Sequence, residues 1–403
     1  VRIGLIADAY PPLRTSCAVQ MRDMARTLAA MEHEVTVLVP APDQRDRWCV
    51  DWDGAVEVVR LKAPQTKGVG YIRRTLAEFA MSTAMWRNMR GSPAAVRRFD
   101  GIAWYSPSIF FAPLVHALKH RDRCPSYLIL RDIFPDWMAD TGLIRRGPAF
   151  HLLRSIARRQ YRAADAIGVQ SPANLPLVEA SADADTRIEV LENWLAPPTD
   201  RGCPIDLSTG PLKGRRIFVY AGNMGVAQGM GRLLDLATAL HERRDIGFAY
   251  VGRGSDAAAL RAESAARGLA NVAFFDEIDP DDIPGLYAQC HAGMVALDPR
   301  HKTHNVPGKF ISYMHAGLPV LASINPGNDL IQLIEDEGVG YVSTDASGGD
   351  LATLAIALTE NKLGASVQQR CQELAASRYS ASAAATQLSK TLLSLRAEFQ
   401  CRP

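Results

Sequence analysis

The chain has 403 residues, of which 47% are hydrophobic and 22% charged, and its formal net charge is +2. This is the make-up of a soluble globular protein with room for two full hydrophobic cores. The charge alone does not point to nucleic acid, and no run approaches the roughly 18–20 unbroken apolar residues of a membrane span. Seven Cys at positions 17, 49, 124, 203, 290, 371 and 401, odd in number and without C-x-x-C spacing, fit a reducing cytoplasm. Residues 1–7 read as a strand and lack the longer apolar run and small-residue cleavage site of a secretory leader.

In chain order, short apolar runs at 2–7, 34–39, 56–61, 101–105, 126–130, 166–169 and 188–191 predict strands. Helical patterns fall between several of them, at 19–31, 71–89, 108–119, 149–164 and 173–180. Regular strand–helix succession means a parallel sheet covered on both faces, with ligands beyond the C-terminal strand edge. Residues 193–214 interrupt the pattern with four Pro and three Gly, a linker composition. The alternation then restarts, with strands expected at 216–221, 247–251, 272–275, 293–296, 319–323 and 340–343. Helices are expected between them at 230–243, 256–267, 281–290, 309–315 and 329–337, then near 349–359 and 380–399. Two similar α/β domains in tandem follow, with a cleft between them as the natural ligand site.

Charge is uneven along the first half. Residues 73–98 hold six Arg (73, 74, 87, 90, 97 and 98) against one acid, Glu78. The helix there is expected to add Leu76, Phe79, Met81, Met85, Trp86 and Met89 to the same surface. Residues 145–162 add six more Arg (145, 146, 154, 158, 159 and 162) with no Asp or Glu. Basic faces beside exposed aromatic and Met side chains suit anionic lipid; a solvated Arg-rich face is the plainer alternative. No basic run is interleaved with stacking aromatics on strands, so nucleic acid ranks last.

Three turns in the second half carry the chemical signal. In VYAGNMGVAQGMG (219–231) a strand ends at Ala221, a turn passes through Gly222, Asn223, Gly225 and Gln228, and a helix begins near Met230. Glycines let the backbone approach a phosphate and a helix start supplies free N–H groups; a plain tight turn is the alternative. The spacing is neither G-x-G-x-x-G nor a Walker A loop. Gly252, Arg253, Gly254 and Ser255 close the next strand, with Ser255 placed to cap a helix and Arg253 to face the same sheet edge. Val306, Pro307, Gly308 and Lys309 set a lysine at the start of an amphipathic helix carrying Phe310, Ile311, Tyr313 and Met314. A Lys there suits a phosphate, and an ordinary surface Lys is the alternative. Three such turns converging on one edge weigh more than any one of them.

In the first half, Arg131, Asp132 and Asp136 follow an apolar strand amid Phe134, Pro135 and Trp137. They mark either cleft chemistry or a structural ion pair. Tyr10, Pro11, Pro12, Arg14, Thr15 and Ser16 follow the first strand and are placed to line the same cleft. Asp279-Pro280-Asp281 has the D-x-D form of metal-dependent sugar transferases, yet it precedes a helical pattern, where N-capping is expected. His301 and His304 have a tight spacing but no further ligand nearby, and no G-x-S-x-G is present.

Together these residues resemble the retaining glycosyltransferases of family 4, which have the two-domain GT-B fold. The likeness begins with the first strand, Tyr10-Pro11-Pro12 and His33-Glu34-Val35-Thr36-Val37-Leu38, and continues through Arg131-Asp132-Ile133-Phe134-Pro135-Asp136. It then takes in Tyr220-Ala221-Gly222-Asn223-Met224-Gly225, Ala227-Gln228-Gly229 and Val251-Gly252-Arg253-Gly254. It closes with Pro307-Gly308-Lys309-Phe310, Tyr313-Met314 and Ala316-Gly317-Leu318-Pro319-Val320-Leu321-Ala322. The Arg-Asp-x-x-Pro and Gly-Asn-x-Gly-x-Ala-Gln-Gly forms are most similar to a subgroup that builds bacterial surface polysaccharides, N-acetylfucosamine transferases among them.

The resemblance implies two tandem Rossmann-like, doubly wound α/β domains facing a cleft. Residues 1–200 would bind the acceptor, a helix near 380–403 would pack back on them, and 201–379 would bind the donor. The implied donor is a nucleotide sugar, UDP-linked in most members and here carrying an N-acetylated sugar. Gly222, Asn223, Gln228 and Lys309 would lie near its phosphates and Arg253 near the nucleotide, with Gly225, Gly252, Glu277, Pro307, Gly308 and Ser312 completing the donor site. Arg131, Asp132 and Lys309 are the implied catalytic residues; Tyr10, Arg14, Thr15, Ser16 and Asp136 fall on the acceptor side. Such enzymes use no metal and no cofactor, because helix N-termini and basic groups stabilise the departing diphosphate. The acceptor would be a lipid-linked saccharide for LPS, O-antigen or capsule. The protein would sit on the cytoplasmic face of the bacterial inner membrane through helix 71–98, with no nucleic-acid partner.

Two departures stand out. Many members carry two Glu eight positions apart, the second on the ribose hydroxyls; here those positions are His304 and Ser312. Arg253, Glu277 and Tyr313 are the nearest residues to take over that contact. Thr15-Ser16-Cys17 stands where a Gly-Gly pair is usual. A nucleotide-sugar 2-epimerase of the same architecture and a catalytically degenerate sugar-nucleotide-binding protein are the alternatives.

Overall fold

The computed structural model describes all residues except 67, 107, 198, 200, 301, 303–305, 346–348, 402 and 403. His301 and His304 therefore lie outside the described residues. The first half runs β1 (Arg2–Ile6), α1 (Ser16–Ala30), β2 (Glu34–Pro40), β3 (Trp48–Asp53), β4 (Val56–Leu61) and α2 (Tyr71–Met89). It continues with β5 (Gly101–Tyr105), α3 (Ala112–Asp122), β6 (Ser126–Leu130), α4 (Asp136–Asp140), α5 (Pro148–Ala163), β7 (Ala166–Val169), α6 (Leu175–Glu179) and β8 (Arg187–Val190). The second half holds β9 (Arg216–Ala221), α7 (Gly231–Ala239), β10 (Ile246–Val251), α8 (Ala257–Ala266), β11 (Val272–Phe275), α9 (Ile283–Tyr287) and β12 (Ala292–Ala296). After it come α10 (Gly308–His315), β13 (Val320–Ser323), α11 (Asp329–Asp336), β14 (Gly340–Ser343), α12 (Leu351–Thr359), α13 (Val367–Arg378) and α14 (Ala381–Cys401).

The chain divides into two compact units, Val1–Trp194 with Ala381–Pro403, and Leu195–Ser380. In the first, eight strands lie in the order β3-β4-β2-β1-β5-β6-β7-β8, parallel except for β3. In the second, six parallel strands lie in the order β11-β10-β9-β12-β13-β14. Both sheets reverse their winding at a switch point, between β1 and β5 and between β9 and β12. At such a point two neighbouring loops diverge and leave room for a ligand. Strands buried on both faces, such as Val35 to Val39 and Phe218 to Tyr220, carry near-continuous apolar runs for that reason.

Besides the short, unpredicted helix α4, four features depart from the sequence reading. The edge strand β3 is not predicted; it forms a hairpin with β4 in which Asp53 pairs with Val56 and Gly54 takes φ 62°. The helix α13 is likewise unpredicted, and it packs against α10 with Cys371, Leu374 and Ala375 inward. The stretch 193–214 is not a free linker: Trp194 is buried in the first unit, and Ile205, Leu207 and Leu212 enter the core of the second. Finally, the basic segment 71–98 is not one helix. α2 ends at Met89, ahead of Gly91 and Pro93, and Met81, Met85 and Met89 point into the core rather than outward. The last helix packs against α1 and β5, within the first unit.

Candidate functional site

The C-terminal edge of the second sheet is lined by backbone. β9 ends at Ala221, and the chain turns at Gly222 (φ 140°) and Gly229 (φ 58°) before α7. β10 ends at Val251 and turns at Gly252 (φ 139°) and Gly254 (φ 155°). These angles favour glycine, and so does the packing. A Cβ on Gly252 would lie 2.1 Å from the Gly222 carbonyl oxygen, and one on Gly254 2.1 Å from that of Met224. The two loops are laced by Gly222 N–H to Val251 O (2.9 Å), Met224 N–H to Arg253 O (2.8 Å) and Asp256 N–H to Met224 O (3.0 Å). Gln228 Oε1 accepts from Asn223 Nδ2 (3.2 Å) and Gly225 N–H (3.1 Å), so both amides brace the turn.

Lys309 comes to this turn from α10. Its Cε lies 3.5 Å from where a Gly222 Cβ would be, and its ammonium sits over the Tyr220 ring, 4.7 Å from the centroid. Among the described residues no carboxylate lies within salt-bridge distance of Nζ, and burial lowers the pKa of the ammonium to about 8. Pro307 holds the N-cap position in an extended conformation and no side chain caps the helix start at Gly308. The helix is drawn close because Tyr313 packs its ring where a Gly293 Cβ would stand, 2.3 Å away. The Tyr313 hydroxyl donates to Val219 O (3.0 Å) and lies 3.2 Å from Met294 O. Tyr313 is thus a buried rivet and leaves the list of residues able to replace a ribose-binding Glu. Ser312 turns back on its own helix, donating to Gly308 O (3.2 Å). Arg253 and Glu277, at the ends of neighbouring strands, form an ion pair of 3.2 Å in which Arg253 is the more exposed.

Sequence reasoning overlooked the end of β12. Asp298 is buried and accepts from the N–H, Nε and Nη2 of Arg300 at 2.9, 2.9 and 2.6 Å. Its own N–H donates to Ala227 O at 3.0 Å, which ties β12 to the glycine turn. The signal was available, since charge at the end of an apolar strand is the same cue that singled out Arg131. Asp279 caps the turn ahead of α9 through Asp281 N–H (3.1 Å), and Asp281 pairs with Arg201 at 3.2 Å. Among the described residues no group of three or more His, Cys, Asp or Glu is arranged to hold a metal ion.

The corresponding edge of the first sheet is lined by side chains. Tyr10 is buried, donating its hydroxyl to Asp53 (2.9 Å), which Arg26 holds at 3.0 Å; burial, then Asp53, raise its pKa. Its hydroxyl is therefore committed inside the fold rather than offered to an acceptor. Thr15 caps α1, accepting from Ala18 N–H at 3.3 Å, whereas Arg14 and Ser16 are exposed. Arg131 is 5% exposed. It donates from Nη1 to Leu191 O (3.0 Å) and stacks 4.5 Å over Trp194, so it is not held by an ion pair to Asp132. Its Nε and Nη2 find no acceptor, and burial draws its pKa down to about 10. Asp132 is half-buried and Asp136 opens α4. Around Arg131 lies a network that the sequence did not suggest. Tyr105 donates to Gln20, Gln20 bonds Asn193, and Trp194 Nε1 donates to the Gln20 carbonyl at 2.9 Å.

Comparison with known proteins places both edges in one context. Residues 16–194 match the family described as glycosyl transferase 4-like domain. Residues 215–361 match the family described as glycosyl transferases group 1. The chain is made of two glycosyltransferase domains in tandem. The first match ends at Trp194, where the contacts divide the chain. A probable glycosyltransferase, WbjE of Pseudomonas aeruginosa, is 24% identical over 53% of this chain and 54% of its own length, so the match spans about half of that relative. The putative colanic acid biosynthesis glycosyl transferase WcaI of Escherichia coli is 24% identical over 81% of this chain and 84% of its own. Among solved structures, Anabaena HepE in complex with UDP and glucose superposes with a TM-score of 0.67 at 17% identity, covering 98% of this chain and 99% of that one. The likeness shows the fold, GT-B.

Proposed function

We propose that this chain transfers a sugar from a UDP-linked donor to a lipid-linked saccharide in the assembly of a bacterial surface polysaccharide. The observation that carries the reading is Lys309, a half-buried ammonium without a carboxylate partner among the described residues, set against the Gly222 turn. A half-buried cation with no described counter-charge beside closely packed glycine backbone suits an anionic diphosphate, and helix α10 aims an uncapped N-terminus at the same place. UDP is favoured because HepE is solved with UDP and glucose, and a surface polysaccharide because WcaI is named for colanic acid.

In this reading Lys309, the Gly222 and Gly252 turns, Asn223 and Gln228 hold the diphosphate, and Arg253 with Glu277 meets the nucleoside. Charge builds on the departing diphosphate, so its stabilisation there accelerates sugar transfer without a metal ion. Transfer proceeds with retention, the sugar is N-acetylated, and Arg131 and Asp132 serve the acceptor side with Arg14, Ser16 and Asp136. No described helix is long and apolar enough to cross a membrane. The lipid-linked acceptor calls for peripheral docking on the cytoplasmic face of the inner membrane, where segment 71–98 supplies basic residues.

The test is a thermal-shift screen of UDP-, GDP- and dTDP-sugars, since a ligand that binds only the folded chain raises its melting point by mass action. UDP-sugars should give the largest shift, and turnover should follow when lipid-linked acceptor is added. Binding without turnover on any acceptor would favour the degenerate reading, which the inward turn of Ser312 supports.

A further inference from the structure

The two Arg-rich segments of the first unit have different fates in the fold. Around α2, Arg74 pairs with Glu78 (2.9 Å), Arg97 with the buried Glu57 (2.6 Å) and Arg98 with Asp122 (3.3 Å). Only Arg73, Arg87 and Arg90 of that segment remain without a carboxylate among the described residues. The segment around α5 keeps more of its charge. Phe150, Ile156, Ala157, Gln160 and Tyr161 face inward. His151, Leu152, Ser155, Arg158, Arg159 and Arg162 form an exposed stripe at helical spacing. No Asp or Glu occurs from Arg145 to Arg162. Arg145, Arg158 and Arg159 meet no carboxylate among the described residues, and Arg162 comes only within 3.7 Å of Asp183.

This arrangement works against the helix itself. Like charges at i and i+4, as in Arg154/Arg158 and Arg158/Arg162, repel, and Arg145 and Arg146 stand at the positive end of the helix dipole. Arg146 is compensated by Asp140 (3.0 Å); nothing comparable serves Arg158 and Arg159. The second unit shows how this protein solvates arginine elsewhere. Arg243 meets Asp245 (2.8 Å), Arg261 meets Asp276 (2.8 Å), and Arg267 meets Asp235 (2.7 Å). Apolar side chains accompany the unpaired charges. Leu143 and Leu152 are 45% and 54% exposed, and Leu76 on α2 is 65% exposed. α3 contacts both α2 and α5, and all three pack on one core, so these residues belong to one layer on one face of the first sheet.

We propose that the outer face of α5, led by Leu152 and charged by Arg158, Arg159 and Arg162, is the main surface by which the first unit docks on an anionic phospholipid bilayer. The inference rests on the peripheral-membrane part of the proposed function and moves the main contact from segment 71–98 to α5. Leucines enter the headgroup boundary while the arginines gather acidic headgroups, each worth about fivefold in partitioning near the surface.

The test is sedimentation of the full chain with phosphatidylcholine vesicles, with and without phosphatidylglycerol, at low and high salt. Replacing all three arginines, Arg158→Ser, Arg159→Ser and Arg162→Ser, should lower partitioning on the phosphatidylglycerol vesicles by tenfold or more. The melting temperature should be unchanged. Leu152→Ser should weaken binding less, and high salt should erase the difference between the triple variant and the parent. The triple variant Arg73→Ser, Arg87→Ser, Arg90→Ser should lose less than the α5 variant. Equal partitioning of parent and α5 variant overturns the assignment to α5 while leaving membrane docking standing. A parent that sediments with neither vesicle, or that binds RNA instead through the same arginines, overturns docking itself.

Discussion

The two units share a winding plan and present opposite material at the same place. The second sheet's edge is backbone: Gly252 and Gly254 pack so tightly on the Gly222–Met224 turn that neither has room for a Cβ, and one ammonium with no carboxylate partner among the described residues overlooks them. The first sheet's edge is side chain: Tyr105, Gln20, Asn193, Trp194 and Arg131 interlock, and the odd atoms out are two nitrogens of a buried guanidinium. Backbone amides and a Lys suit a chemical group shared by many ligands, such as a diphosphate. Side chains can be exchanged one at a time, and so suit the partner that differs from one enzyme to the next. On the proposed reading, a division of labour between a donor-binding and an acceptor-binding unit would have its physical basis in that difference.

The largest effect expected on this contrast is that of Lys309→Ala. Turnover should fall by about a hundredfold or more, as when a preorganised group that stabilises transition-state charge is removed, with the melting curve intact. Full activity would take Lys309 out of the phosphate site. Next comes Gly252→Ala, whose methyl would meet the Gly222 carbonyl. It should cost about 1–3 kcal/mol of stability and weaken UDP binding, whereas Gly231→Ala, with nothing within 4 Å, should change neither. A denaturant titration with and without UDP distinguishes them.

Arg131→Met breaks the contrast from the other side. Replacing a buried, incompletely bonded charge by an apolar group of similar length is often neutral or stabilising. The variant should therefore hold or raise its melting temperature while losing turnover. A lower melting temperature with full turnover would make Arg131 a structural residue. The smallest effect is a pH dependence. The Lys309 pKa of about 8 is depressed relative to the unfolded chain, so the unfolded state binds more protons between there and about 10.4. Stability should rise with pH across that window. UDP prefers the charged ammonium, so its affinity should be level below pH 8 and fall above it, at most about tenfold per pH unit. Lys309→Arg, charged throughout, should show a flat profile by calorimetry.

Much of the second edge was legible because its residues are local in sequence. A strand, a glycine turn and a helix start lie within a dozen positions, and the glycines announce backbone geometry directly. The first edge was legible only in part. Arg131 stood out at a strand end, yet its partners Leu191 and Trp194 lie 60 residues or more downstream, and Gln20 comes from α1. Tyr10 looked like an acceptor contact because it follows the first strand; its commitment to Asp53 required β3, a strand that went unpredicted. The cue for that hairpin, Asp53-Gly54, was present, but Asp51 and Asp53 mask the strand pattern because the edge position leaves one side to solvent.

The sequence by itself determined two α/β units, the period of their strands and helices, and the glycine turns with Lys309, because these depend on propensity and on neighbours a few residues apart. Tertiary structure decided which charges stay unpaired. The same count of arginines in two segments became an α2 region with half of its charges paired and an α5 region with most of them unpaired among the described residues. The outcome hung on whether Glu57 and Asp122, far away in sequence, arrived beside them. Pairing is a long-range event, and a string of residues records the charges without recording who meets whom.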